Sequence, residues 1–206
     1  MTAGHLYRLD GFAHRADETG TPFVLGVDLS LTSTGLAGVA VEGPREGNPN
    51  PQVHVETERV QSRLAGHDRL EEILTRVVRV ARTAQLVVIE GLAFAAHDTG
   101  RQGAGLSWLV RHELWREGVP VALVPPANRI QYALGKGVGS KDVVLAATVL
   151  RYRQLATVQG NDEADALLLA AMGSRHLGRP IEEELPAKHL AALTKAAWPA
   201  EELVPA

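Results

Sequence analysis

The sequence predicts one α/β domain on a mixed five-stranded sheet, three antiparallel strands and then parallel ones, flanked by helices. Two apolar runs, residues 24–28 and 36–41, enclose a Gly/Thr/Ser turn as a β-hairpin does, and "VHVETERV" alternates apolar and polar residues with period two. Two later runs, "QLVVIEG" and "VPVALVPP", are short and continuously apolar, as strands covered on both faces are. Helical periodicity fills the intervals between and after them. At 206 residues the chain is long enough for one well-buried domain and short for two.

The elements follow in chain order. Residues 1–21 are polar with paired turn signals and read as a loose N-terminal extension. After the hairpin, "EGPREGNPNPQ" is a loop by its Gly, Pro and Asn content, and "VHVETERV" is a half-exposed third strand. Over 67–81, Leu70, Ile73, Leu74, Val77 and Ala81 keep the spacing of an amphipathic helix. "QLVVIEG" is the fourth strand and ends in Glu90; "GLAFAAHDTGRQGAG" has no clean period and reads as a loop or a frayed helix start. Residues 106–117 are helical by pattern, "VPVALVPP" is a strand stopped by two prolines, and "GKGVGSK" is a glycine-rich loop. Ser140 then N-caps a helix to about Leu155, and "GNDEADALLLAAMG" opens another, capped by Asn161 or Asp162 and stopped by Gly173 or Gly178. The expected organisation is an N-terminal extension over 1–21, a catalytic domain over 22–178 and a C-terminal tail over 179–206, with no internal repeat.

Composition limits the chemistry. An apolar fraction of 45% and a charged fraction of 22% are globular values. The absence of cysteine excludes disulfides and thiolate chemistry and leaves oxygen and imidazole as metal ligands, which favours hard cations. No leader-like segment or membrane span is visible, so the expectation is a soluble cytoplasmic protein, bacterial or viral, without a membrane partner. The net charge of −3 hides a division: residues 101–153 carry 8 Lys/Arg against 3 Asp/Glu. Such a basic zone suits phosphate binding, or is simply a solvated face.

Acids stand where a fold would expose them together. Asp28 lies in an apolar β-run, where a lone carboxylate is costly unless a cation meets it, or else it caps backbone amides near the turn. Glu90 follows "LVVI" and precedes Gly, a poor setting for a surface residue. Asp162 and Asp165 are three apart and share a helix face, whereas Glu163 is turned about 100° away. Asp162 also suits an N-cap, but Asp165 abuts the apolar "ALLLAA", on a face that should be packed. Four carboxylates brought together repel one another, and such a cluster is normally kept around divalent cations.

These motifs resemble the RuvC family of Holliday-junction resolvases, within the ribonuclease H-like fold class. The carriers are "GVDLSLTSTG", "VVIEG", "GKGVGSKDVV" and "NDEADALLLA", covering about Val24 to Met172, and the order and separations of the acids agree as well. The resemblance implies a ribonuclease H-like sheet and a homodimer that binds four-way DNA junctions and nicks them symmetrically with Mg²⁺, as two ions, or Mn²⁺. It makes Asp28, Glu90, Asp162 and Asp165 the metal ligands and sets Lys141 beside the scissile phosphate, where its charge stabilises the transition state. Lys136 and the loop amides would hold a DNA phosphate. Phe94 is a candidate wedge that stacks on bases near the junction centre, or a core residue; it falls one position later than the family pattern. Arg101 and Arg111 are candidate phosphate contacts, or Arg111, within an amphipathic helix, is simply solvated. Ser30 and Thr32 are further candidates for a phosphate, whereas His97, His112 and His176 lack ligand spacing.

Other readings compete. In an actin-like ATPase or kinase "GVDLSLTSTG" would cradle a nucleotide phosphate, but such a protein needs a duplicated domain that 206 residues do not accommodate. A related nuclease acting on other branched or single-stranded DNA would carry the same acids, and a scaffold without activity would have no need of all four.

Overall fold

The computed structural model describes residues 8–44, 49–91 and 98–200, with side chains for all of these but 98–102. Five strands, β1 (Phe23–Asp28), β2 (Thr34–Glu42), β3 (Gln52–Val60), β4 (Leu86–Glu90) and β5 (Val121–Val124), form one sheet in the order β3-β2-β1-β4-β5. β2 pairs antiparallel with β1 and β3, and β4 lies parallel to both β1 and β5. This is the mixed sheet the sequence predicts.

Alternation along the central strands sends side chains into two cores. Leu25, Val27, Val87 and Ile89 meet α1 (Arg8–Thr19), α2 (Gly66–Ala81) and α3 (Asp98–Arg116) on one face. Val24, Leu86 and Val88 meet α6 (Asn161–His176) on the other, where α4 (Pro126–Leu134) and α5 (Lys141–Tyr152) complete the layer. Residues Glu163 through Ser174 of α6 are all buried, which is why "ALLLAAM" is apolar all round. Two glycines let α6 lie against the sheet. A Cβ on Gly26 would stand 2.0 Å from the Ala166 carbonyl oxygen, and one on Gly35 would stand 1.9 Å from that of Asp162.

Residues 8–19 are not the loose extension expected. They form α1, whose Leu9, Phe12, Ala13 and Ala16 keep helical spacing and are buried against the sheet. Phe12 packs over Gly38, where a Cβ would come within 2.5 Å of its ring, and meets Phe23 edge-on at 5.3 Å. A buried ion cluster secures the contact: Arg76 donates to both Glu58 oxygens at 2.8 and 2.7 Å and to Asp10 at 2.5 Å. Glu58 also accepts from the Leu9 amide at 3.2 Å, one of the free N–H groups of the first turn of α1.

The other departures are local. α3 begins at Asp98, ahead of the periodic segment, and α4 replaces a stretch without a predicted element. The prolines that end β5 also open α4, with Pro126 at its first position and Gly135 closing it at φ +73°. Ser140 holds the N-cap position of α5 without a side-chain cap bond, and the N-cap of α6 is Gly160, neither Asn161 nor Asp162. Gly178, at φ +74°, ends that helical run; Gly173 lies inside α6, facing Val88 and Val24.

The C-terminal segment is built into the second layer. After α7 (Ala187–Leu190) and a 3-10 turn (Ala191–Lys195), Ala197 bridges Leu123 on the edge strand, and Trp198 stacks on His176 with ring centres 4.1 Å apart. Asn128 donates to the Ala192 carbonyl at 2.6 Å and Gln131 to that of Lys188 at 3.1 Å, which fixes α4 against this segment.

Candidate metal centre

β1 and β4 run parallel with Val27 beside Ile89, so Asp28 and Glu90 follow side by side at the carboxyl ends of the two strands. Asp165 reaches them from the second turn of α6, the helix that Gly26 and Gly35 admit to the sheet. One carboxylate oxygen from each of Asp28, Glu90 and Asp165 lies within 4.8 Å of the others. Asp28 and Glu90 are half-buried, and Asp165 is buried.

The electrostatics follow from that crowding. Burial raises Asp28 from the usual 3.8 to about 7, with the charges of Glu90, Asp165 and Asp162 adding to the rise and Arg129 opposing it. Burial also raises Asp165 to about 6; Arg129 and Lys141 pull it down while Glu90 and Asp162 push it up. Three hard oxygen donors from three separate elements, two of them reluctant to ionise unaided, fit a divalent cation such as Mg²⁺ or Mn²⁺.

No protein-family model matches the sequence, and no curated protein matches it. Solved structures do match. RuvC from Thermus thermophilus superposes with a TM-score of 0.59 at 24% identity, over 76% of this chain and 97% of that one. T. thermophilus RuvC in complex with Holliday junction substrate gives 0.57 at 21%, with the same coverage. Fowlpox virus resolvase, in complex with its substrate Holliday junction DNA, gives 0.52 at 10%, over 75% of this chain and 98% of that one. The chain has the RuvC fold.

Within this RuvC-like frame the other candidates fall in different places. Asp162 is in the first turn of α6, outside the tight group of three, and accepts from Ser33 Oγ at 2.5 Å; its charge still raises both Asp28 and Asp165. Glu163 turns away, as its position predicts, and accepts from the Gln159 amide at 2.5 Å, a cap from inside the helix. Lys141 is exposed at the start of α5, close enough for its charge to lower Asp165, and Lys136 is exposed in the α4–α5 connection. Phe94 and His97 lie outside the described residues, as does the side chain of Arg101, whose backbone is in α3. Arg111 stacks over the Trp108 ring at 4.5 Å. Ser30 and Thr32 bond each other at 3.0 Å, and Ser30 also exchanges bonds with Thr34, so these hydroxyls organise the hairpin turn.

Two residues of the site escape the sequence reading. Ser33 links the hairpin to α6 through Asp162. Arg129, buried in α4, donates to Glu90 Oε2 at 3.1 Å and Oε1 at 3.3 Å and also to Asp165. The signal for Arg129 was Pro126, which reads as a strand stop but also starts the helix that aims it.

Proposed function

We propose that this protein is a metal-dependent, structure-selective endonuclease that resolves four-way DNA junctions by paired, symmetric phosphodiester hydrolysis. The observation that carries the reading is the convergence of Asp28, Glu90 and Asp165 on a fold shared with two resolvases solved with Holliday junctions. Asp28, Glu90 and Asp165 would hold Mg²⁺, with Asp162 beside them serving a second ion and Mn²⁺ substituting. Bound there, the ions would lend positive charge to the phosphate and acidify the attacking water.

The chain's own groups do the rest. Lys141, whose charge bears on Asp165, would bring its ammonium to the negative charge that grows on the phosphate in the transition state. Lys136 and the amides of "GKGVGSK" position the strand through its backbone, and Phe94 and Arg101 act on the junction itself. Symmetric cutting requires two copies. Trp108 and Trp115, 63% and 73% exposed and seven residues apart on α3, offer the apolar face that a second copy would cover.

The test is incubation with a synthetic four-way junction, the matching duplex and a splayed-arm DNA, in Mg²⁺ and in EDTA. Paired nicks in the junction, dependent on metal and much faster than in the other two DNAs, are expected. Equal cutting of the splayed arm would redirect the proposal to branched DNA in general, and no metal-dependent nicking would sink it.

A further inference from the structure

We infer that Arg129 is the resident counter-charge of the carboxylate site and gives way to a divalent cation by exchange for the same oxygens. The inference rests on reading Asp28, Glu90 and Asp165 as a metal centre. Arg129 is a buried fork: its Nε and Nη2 take the two oxygens of Glu90 on β4 at 3.1 and 3.3 Å, and its Nη1 takes Asp165 on α6. It thus engages two of the three carboxylates and lowers the proton affinity of the third, Asp28, through its charge.

A cation coordinated by these three acids competes with Arg129 for both oxygens of Glu90 and one of Asp165. A guanidinium cannot shed its proton to relieve the resulting repulsion, so it has to move. Two positive charges brought together in a partly buried site repel far more strongly than they would in water. The motion is confined to the side chain, because the Asn128–Ala192 and Gln131–Lys188 bonds hold the backbone of α4. Arg129 therefore does two jobs in sequence: it holds the carboxylates together before the cation arrives, and it sets the threshold cation concentration at which the site loads. Lys141, exposed at the start of α5, bears on Asp165 through its charge and is no substitute for that fork.

The experiment is Mn²⁺ titration of the full chain without DNA at pH 8, by calorimetry, for wild type, Arg129→Gln, Arg129→Lys and Asp28→Asn. Arg129→Gln is expected to bind Mn²⁺ about tenfold more tightly than wild type. Arg129→Lys, which keeps the charge but cannot span Glu90 and Asp165, is expected to fall between them. Thermal unfolding gives a second readout: Mn²⁺ should raise the melting temperature of Arg129→Gln by more than it raises that of wild type. Equal or weaker binding by Arg129→Gln overturns the inference, and so does Arg129→Lys binding like wild type, since charge alone would then account for the effect. If neither wild type nor Arg129→Gln binds Mn²⁺, the metal-centre reading itself fails. Binding abolished by Asp28→Asn but unchanged by Arg129→Gln defeats only the exchange.

Discussion

Asp28 and Glu90 end neighbouring parallel strands in register, each one residue past the Val27–Ile89 pair, so both carboxylates stand at the carboxyl ends of these strands, grouped with Asp165. The parallel pairing of β1 and β4 turns two acids 62 positions apart in sequence into neighbours. Their burial, reinforced by their mutual repulsion, is the source of the first prediction.

In EDTA, the folded protein should lose stability as pH rises. Asp28 and Asp165 titrate near about 7 and about 6 when folded and near 3.8 otherwise, so between pH 4 and 7 the folded state holds protons that the unfolded chain has released. Their stabilising contribution is full below the unfolded value and is lost through the folded ones. Melting temperatures at pH 5 and 8 check this: wild type should fall over the interval by more than Asp28→Asn does, and an equal fall in both would contradict it. With Mn²⁺ present the sign reverses, because metal binding requires the ionised carboxylates, and affinity should climb across pH 6–7.

Asp165→Asn should weaken Mn²⁺ binding by about tenfold or more while leaving the fold intact, since the amide keeps the shape but loses the charge. Calorimetry with circular dichroism on the same sample checks it. An unchanged titration would remove Asp165 from the centre.

Gly35→Ala should destabilise the protein by about 1–3 kcal/mol, because the new methyl drives α6 off the sheet at Asp162. Since α6 carries Asp165, metal affinity should drop along with the melting temperature. A substitution that leaves both unchanged would show that the close packing of α6 does not hold the centre in place.

If two copies pair through α3 as proposed, replacing both Trp108 and Trp115 by Ala should shift the protein from dimer to monomer in sedimentation, with the melting temperature of the folded unit little changed. A wild-type monomer would contradict the dimer itself, and a variant that stays dimeric would move the proposed interface elsewhere.

How legible the site was depends on what each residue disturbs. Asp28, Glu90 and Asp165 interrupt apolar runs, and an acid there is conspicuous because burial without a partner is costly. The strands themselves were legible for a related reason, as period-two alternation marks the solvated strand and continuous apolar runs mark the covered ones. Arg129 disturbs nothing: it sits in the mixed stretch "ANRIQY" after two prolines, in a segment whose positive charge reads equally well as a phosphate-binding face. Its role depends on the helix start at Pro126 and on tertiary contacts with β4 and α6 that no local pattern encodes. The α1 helix was hidden by its polar composition, although Leu9, Phe12, Ala13 and Ala16 carried the period. The tail was hidden because its order comes from β5 and α4, to which it docks.

Lys141→Ala should slow cleavage by about 100-fold with junction affinity largely kept, if its ammonium acts on charge that develops only in the transition state. Single-turnover rates set against gel-shift affinities separate the two effects. Cutting as fast as wild type would reduce Lys141 to a solvated helix-start residue.

The most direct measurement is single-turnover cleavage of a synthetic four-way junction in Mg²⁺ by wild type and Asp28→Asn side by side. The carboxylate-centred account predicts metal-dependent paired nicks by wild type and a loss of at least about a thousandfold in the variant, with junction binding retained. Undiminished nicking by Asp28→Asn would contradict it.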